Sequence, residues 1–321
     1  MSKVDIVVPA YNEVGSVRRL YEQVFRAVDP LPHSFRLIFV DDGSSDGTAE
    51  ECRAICREDP RVGLIEFSRN FGHQAALTAA LDHADGDAVV TLDADLQHPP
   101  EVIVDFLREW EHGAEIVHGI RRDSGDAGFA KRATSRLFYA VMGRLSDVPI
   151  VHDAPDFRLL DAKVVRAVRS MREQSRFLRG MFAWIGFRQV TVPYDQASRH
   201  AGQSKYGVAR MVTFGITALL SFSRVPLRVA TVSGALVSVL AFAYGAYAAA
   251  QRLVFERAIP GWTSLAILVS MLSGAQMLFL GLLGEYLGQV LDESKQRPIY
   301  VVREMSIPAL QGAPARDERA G

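Results

Sequence analysis

The sequence predicts an α/β domain with a mostly parallel sheet, followed by an interfacial helix and a two-helix transmembrane hairpin. Three observations carry that expectation. Short apolar runs alternate with helix-period segments at βαβ spacing up to about Arg210. Several of those runs end in acidic turns. Beyond Arg210, charge almost vanishes over two long stretches. A hydrophobic content of 49% and a net charge of −1 exclude a disordered chain and a basic nucleic-acid binder.

The elements follow in order. Val4–Val8 is a continuously apolar strand, as fits a strand buried on both faces. Ser16–Val28 has helical apolar spacing. Phe35–Val40 is a second strand, followed by the turn DDGSSDGT and a helix from about Thr48. VGLIEFSRNFG holds a third strand, and His73–Ala84 a helix. DAVVTLDADLQ is the fourth strand, and Ala114–Arg122 reads as another. APDFRLLDAKVV and GFRQVTVPYDQ supply one strand each. Cys52 and Cys56, the only cysteines, lie four apart without nearby histidine and read as reduced helix residues.

In open α/β sheets, ligands bind beyond the carboxyl ends of the strands. Three acidic loops leave those ends: Asn12-Glu13, Asp41-Asp42 and Asp93-Ala94-Asp95. Neither a Gly-x-Gly-x-x-Gly fingerprint nor a Walker Gly-Lys-Ser/Thr is present, so a nucleotide here needs other holders. Residues i and i+2 of a strand face the same way, which lets Asp93 and Asp95 approach one hard cation. Mg²⁺ and Mn²⁺ prefer such oxygen ligands and keep positions open for substrate phosphates. Gln97 offers a further carbonyl oxygen. Asp-x-Asp alone is equally a solvated turn; its company gives it weight.

Val229 to Ala250 and Trp262 to Gly284 are 22 and 23 residues without a charge. At ~1.5 Å per residue each covers roughly the 30 Å hydrocarbon thickness. The connection is short, so both ends lie on one side, and Lys205, Arg210, Arg224, Arg228, Lys295, Arg297 and Arg303 flank that side. The positive-inside bias places the N-terminal domain and the tail in the cytoplasm, in a multi-pass protein of the inner (cell) membrane. MVTFGITALLSFS is too short to span and suits an interfacial helix. The expected boundaries are 1–207 for the catalytic domain, 208–226 for the interfacial helix and 227–288 for the hairpin. The tail occupies 289–321 and, from Ser306, reads as disordered.

DIVVPAYNE, DDGSSDGT, DADLQHPPE and RHAGQSKYG occur in this order. With these motifs the chain resembles the family 2 glycosyltransferases over roughly Val4 to Tyr300, specifically the polyprenyl-phosphate group of dolichol-phosphate mannose synthases and bacterial undecaprenyl-phosphate glucosyltransferases. The resemblance implies a GT-A, Rossmann-like nucleotide-diphospho-sugar transferase domain. It also implies inverting, Mg²⁺- or Mn²⁺-dependent transfer of a sugar to a membrane polyprenyl phosphate. UDP-glucose is the expected donor; GDP-mannose and other UDP-sugars are alternatives. A catalytically degenerate membrane scaffold is a reading from another class, and the intact acidic motifs oppose it.

Residue by residue, the resemblance implies nucleotide contacts at Pro9, Tyr11, Glu13, Asp42, Asp93, Arg121 and Lys205. It implies metal ligands at Asp93, Asp95 and Gln97. Asp95, Lys205 and Asp156 take catalytic places; Lys205 stands in a loop with Gly202 and Gly207. Asp156 falls in APDFRLLD, where Pro155 replaces the family's glycine, and Asp153 is a possible substitute. Whether Asp156 acts as a base or positions the acceptor stays open. A polyprenyl phosphate has a second pKa of ~6 and is largely ionised near neutrality, so positioning should dominate. Arg122, Lys131, Arg132, Arg136, Arg176 and Arg179 are candidates for holding the lipid phosphate. Membrane lipids and a possible homo-oligomer complete the expected partners.

Overall fold

The computed structural model describes residues 1–122, 155–171, 173–174, 176–195, 225–253 and 261–309. The chain divides into two units, one built on a sheet and one on two long helices.

The sheet unit opens with β1 (Lys3–Ala10), α1 (Val17–Val28), β2 (Ser34–Asp41), α2 (Thr48–Glu58), β3 (Val62–Phe67), α3 (His73–His83) and β4 (Ala88–Thr91). It continues with α4 (Val102–Glu111), β5 (Ile116–Arg121), β6 (Arg158–Asp161), α5 (Ala162–Ser170), α6 (Leu178–Trp184) and β7 (Gln189–Tyr194). A last strand, β8 (Val302–Ser306), returns after the long helices.

The strand order is β7-β5-β6-β4-β1-β2-β3-β8. β4, β1, β2 and β3 are parallel, as are β5 and β7. β6 runs antiparallel between β4 and β5, and β8 antiparallel to β3. β1 buries all but its first residue, which explains its unbroken apolar run. α1 buries Val17, Leu20, Val24, Phe25 and Val28, the stripe its sequence spacing implies. Parallel pairing aligns the C-terminal ends of β1, β2, β3 and β4, so the acidic loops leave from a common rim.

Away from that rim, near the start of β1, Asp5 accepts from Arg36 Nε and Nη2 at 2.8 and 2.9 Å. The same carboxylate accepts the Asp85 and Gly86 amides at 2.8 Å each. Arg36 also donates to the Pro308 carbonyl at 2.7 Å.

That contact belongs to a correction at the C-terminus. Ser306 is not the start of a structureless tail. It is the last residue of β8, paired with Leu64, and the ordered chain continues to Pro308. Tyr300 stacks on Phe67 with centroids 5.1 Å apart and donates to Asp82 at 3.0 Å. Arg303 donates to Glu66 at 3.0 Å. VVREMS alternates too little to announce a strand; the vacant edge of β3 makes it one. Residues 310–321 lie outside the described residues.

The second unit contains α7 (Val225–Leu253) and α8 (Trp262–Lys295), of 29 and 34 residues. Among the described residues no helix is long and apolar enough to cross a membrane. The uncharged stretches 229–250 and 262–284 fall inside these two helices. Large apolar side chains on both are open to solvent: Phe242 is 82% exposed and Met271 74%. Of the interfacial helix expected at 208–226, only the last residues are described, and they open α7.

Candidate active site

The site is assembled from loops at the carboxyl rim, and the β4–α4 loop is its centre. Leu92 is buried, and the chain then turns through Asp93-Ala94-Asp95-Leu96-Gln97. Leu96 has φ +62°, a left-handed conformation that costs a non-glycine residue roughly 1–2 kcal/mol. Asp95 defines the turn: its Oδ1 accepts the Gln97 amide at 3.1 Å and its Oδ2 the Gln97 side-chain N–H at 2.6 Å. The Asp93 amide donates to His98 Nδ1 at 3.1 Å. His98 is buried and stacks on Phe157 with centroids 4.9 Å apart. Burial lowers its pKa against the pull of Asp93 and Asp95, keeping the ring neutral and Nδ1 available as an acceptor. His98 therefore fixes the backbone from which Asp93 projects.

Around His98 lies an aromatic cluster of Phe106, Phe157 and Tyr194. Gly119 of β5 is required there. A Cβ would stand 3.0 to 3.1 Å from all three rings.

Asp156, just before β6, is 5% exposed. Its Oδ1 accepts from Arg158 at 2.8 Å and from Arg179 Nε at 3.1 Å. Its Oδ2 accepts from Arg179 Nη2 at 3.2 Å and lies 3.3 Å from His73 Nε2. The Asp156 carbonyl accepts from the Thr91 hydroxyl at 2.6 Å, locking this loop to the end of β4. Burial opposes ionisation of Asp156, but His73, Arg158 and Arg179 outweigh it and hold the carboxyl well below the ordinary range. Arg158 is fully buried and its charge is answered by Asp156. For His73, burial works against protonation; the hydrogen bond to Asp156 and the charges of Asp93 and Asp156 prevail and raise its pKa.

The expected residues divide on inspection. Asp93, Asp95, Gln97, Asp156 and Arg179 belong to this group of loops. Pro9 is the penultimate residue of β1, and Tyr11 just beyond the strand is 45% exposed. Glu13 stands in the next turn, where its carbonyl accepts from the Ser16 and Val17 amides. Arg121 ends β5 beside the Tyr194 ring. Asp42 lies just past the end of β2. It is buried, and its oxygens accept the Phe71 amide at 2.7 Å and the Gly72 amide at 2.9 Å. Arg122 pairs with Asp195, and Arg176 donates to the Met171 and Glu173 carbonyls. Lys131, Arg132, Arg136, Asp153 and Lys205 lie outside the described residues.

Two participants escaped the sequence reading: His73 and His98. The histidine directly after Gly72 at a helix start was the available signal for His73. The pairing of Asp156 with Arg158, which the sequence offered as the alternative role of that carboxylate, is present in the structure.

Among the described residues no group of three or more His, Cys, Asp or Glu is arranged to hold a metal ion. The donor set nevertheless fits a Mg²⁺- or Mn²⁺-type ion, which takes one or two carboxylates and completes its shell with water and phosphate oxygens. Asp93 Oδ1 is the decisive atom: it is shielded from solvent and has no hydrogen-bond partner. An oxygen so placed can accept a cation, and His73 Nε2 stands 3.7 Å from it.

The family model for "Glycosyl transferase family 2" matches residues 5–169, half of the chain. The chain belongs to glycosyl transferase family 2. The uncharacterized glycosyltransferase YkcC of Bacillus subtilis is 39% identical to it over 299 residues, 93% of both chains. The uncharacterized glycosyltransferase sll0501 of Synechocystis is 37% identical, covering 94% of this chain and 95% of its own. The bactoprenol glucosyl transferase of Shigella phage SfV is 37% identical, covering 94% of this chain and 98% of its own. The transferase thus carries its acidic rim on the α/β sheet that the motif resemblance implied, and it is a glycosyltransferase.

Proposed function

We propose that this transferase moves glucose from UDP-glucose to a membrane polyprenyl phosphate, with inversion at the anomeric carbon. The observation that carries the reading is the saturation of Asp156. Two arginines and a histidine surround this carboxylate and hold it ionised, so it is a poor proton acceptor. A sugar hydroxyl as acceptor would need a base. A phosphate with a pKa of ~6 needs none; it needs positioning and cationic neighbours. Arg179, partly exposed beside Asp156, suits that acceptor. The bactoprenol glucosyl transferase name of the phage relative supports the same acceptor and sugar.

Asp93, Asp95 and Gln97 would hold a divalent ion, whose charge would offset the negative charge developing on the diphosphate leaving group. Asp93, fixed by His98, and Asp95, fixed by Gln97, bring their carboxylates to the donor without rearrangement. Tyr11 and Arg121 border the nucleotide on this reading, and Lys205 reaches its phosphate. Arg122, Lys131, Arg132, Arg136 and Arg176 are secondary candidates for the lipid phosphate. Asp156 keeps Arg158 and Arg179 in place for the acceptor.

The exposed apolar side chains of α7 and α8, with their uncharged stretches, support a hairpin in the inner membrane with the sheet unit and both termini cytoplasmic. A reporter fused after Ile299 should be active only as a cytoplasmic reporter; periplasmic activity there would refute the hairpin.

The deciding experiment incubates membranes and polyprenyl phosphate with a panel of labelled nucleotide sugars and counts chloroform-soluble label. UDP-glucose should label the lipid. Label from GDP-mannose or another UDP-sugar instead would replace the donor assignment, and label in a water-soluble product alone would replace the acceptor.

A further inference from the structure

His73 has no part in the reading above beyond its share of the charge around Asp156. Its surroundings indicate more. Its Nε2 lies 3.3 Å from Asp156 Oδ2 and 3.7 Å from Asp93 Oδ1. The first carboxylate belongs to the acceptor side of the proposed reaction, the second to the donor and metal side. Both would repel each other if drawn together without a positive or hydrogen-bonding group between them. Arg158 and Arg179 already neutralise Asp156, and Asp93 Oδ1 has no hydrogen-bond partner. A histidine between the two therefore serves both carboxylates and not Asp156 alone.

The loop leading to His73 is built to hold that place. Gly72 has φ +102°, which an L side chain rarely adopts. Asp42 takes both the Phe71 and Gly72 amides. Gly43, with φ +68°, lets the Asp41–Ser44 turn approach so closely that an added Cβ would overlap the Arg69 backbone. Phe71 packs edge-on against Phe67, centroids 5.7 Å apart. The result is a rigid path from β2 through the 69–72 backbone to an imidazole that still has 40% of its side chain open to the site.

We propose that His73 is a positioning residue for sugar transfer: hydrogen-bonded to Asp156 through Nε2 and 3.7 Å from Asp93 Oδ1, its imidazole spaces the two carboxylates and so sets the acceptor pocket in register with the donor side. Asp42 acts one step further back, by holding the loop that presents it. The proposal rests on the transfer reaction argued above but not on the identity of the sugar.

The test uses the full-length protein in membranes with whichever nucleotide sugar labels the lipid in wild type, and compares His73→Ala with His73→Gln. Glutamine carries an N–H donor near the Nε2 position without the ring. Positioning errors of about 1 Å cost on the order of 100-fold in rate. H73A should lower kcat about 100-fold while leaving KM for the nucleotide sugar within about twofold, and H73Q should recover most of that loss. Mn²⁺ binding in the presence of the free nucleoside diphosphate should weaken in H73A and return in H73Q, a readout independent of turnover. Unchanged kcat and Mn²⁺ affinity in H73A overturn the proposal, whatever happens to the melting temperature. A raised KM with unchanged kcat overturns it as well, since it makes His73 a ground-state contact. Which donor labels the lipid reports separately on the glucose assignment.

Discussion

Two loops leave the same rim of the sheet with paired acidic residues, and they do opposite things. Asp41 and Asp42, after β2, are nearly excluded from solvent, and the turn they open is bonded inward. Asp42 holds the Phe71 and Gly72 amides. Asp41 holds Ser44. Ser44, Asp46 and Thr48 accept the Asn12, Val14 and Glu13 amides, and Asn12 accepts from Ser45 in return. Asp93, after β4, keeps 31% of its side chain open and one oxygen without a hydrogen-bond partner. The two loops thus differ in how far they close over their carboxylates. The turn after β2 is bonded to the 12–14 and 71–72 backbone and buries both of its aspartates, whereas the side chain of Asp93 stays partly open at the rim.

The largest way to sharpen the contrast is at the β4–α4 loop. Asp95→Asn keeps an acceptor for the Gln97 amide but removes the charge. Lipid labelling should fall about 10³-fold, in the range lost with a key electrostatic contact, with the melting temperature within a few degrees of wild type. Wild-type labelling at limiting Mg²⁺ would end the assignment of Asp95 to the metal.

Asp156→Asn comes next, and its main effect is on stability. It leaves Arg158 fully buried without its counter-ion, and breaking a buried pair costs about 3–5 kcal/mol. The pH dependence has a definite sign. The folded-state pKa of Asp156 is depressed, so its contribution is present above about pH 4 and is lost as the pH falls toward the folded value. Denaturant melts from pH 3 to 7 should show acid destabilisation in wild type that is smaller in D156N; parallel curves would mean that the pair contributes nothing. Transfer by a folded fraction of D156N should show a wild-type-to-variant ratio that is flat from pH 7 to 9. A ratio that falls steeply with pH would restore Asp156 as the base.

Asp42→Asn should cost about 1–3 kcal/mol, the penalty of a poorly satisfied buried amide, and its pH sign is reversed. Burial raises the folded-state pKa of Asp42, more than the Phe71 and Gly72 amides lower it. The stability this group confers is therefore present below about pH 4 and lost as the pH rises through the folded value. The difference in stability between wild type and D42N should shrink from pH 3 to 7. A widening difference would show that the amides, not burial, control Asp42.

The smallest effect is expected at Leu96. Leu96→Gly relieves the left-handed strain, about 1–2 kcal/mol, but loses the partly buried side chain's packing on the core and adds unfolded-state entropy, so the net change in stability should stay within about 1 kcal/mol. If the strained turn orients Asp95, kcat should fall several-fold despite intact stability; an unchanged kcat would make the strain incidental.

The alternation of apolar runs and helical periods made β1, α1, β2, α2, α3 and β4 legible, because each is set by local periodicity and burial on both faces of a parallel sheet. Asp93, Asp95 and Gln97 were legible as well, since a ligand-bearing turn is a contiguous stretch of chain. β8 was not: Val302–Ser306 becomes a strand only because β3 offers an open edge. Neither was the bracing of the 71–72 backbone by Asp42, which joins loops 29 and 30 positions apart.

The sequence by itself determined the class of the domain, its family and the carboxylates of the β4–α4 loop, because those properties follow from side-chain period and short-range spacing. Only the tertiary structure decided that Asp156 is saturated by His73, Arg158 and Arg179, and that His73 stands between it and Asp93. These residues are drawn from four segments of the chain, up to 106 positions apart. Their charges and pKa values come from mutual distance and burial, quantities that exist only once the sheet has brought the loop ends together.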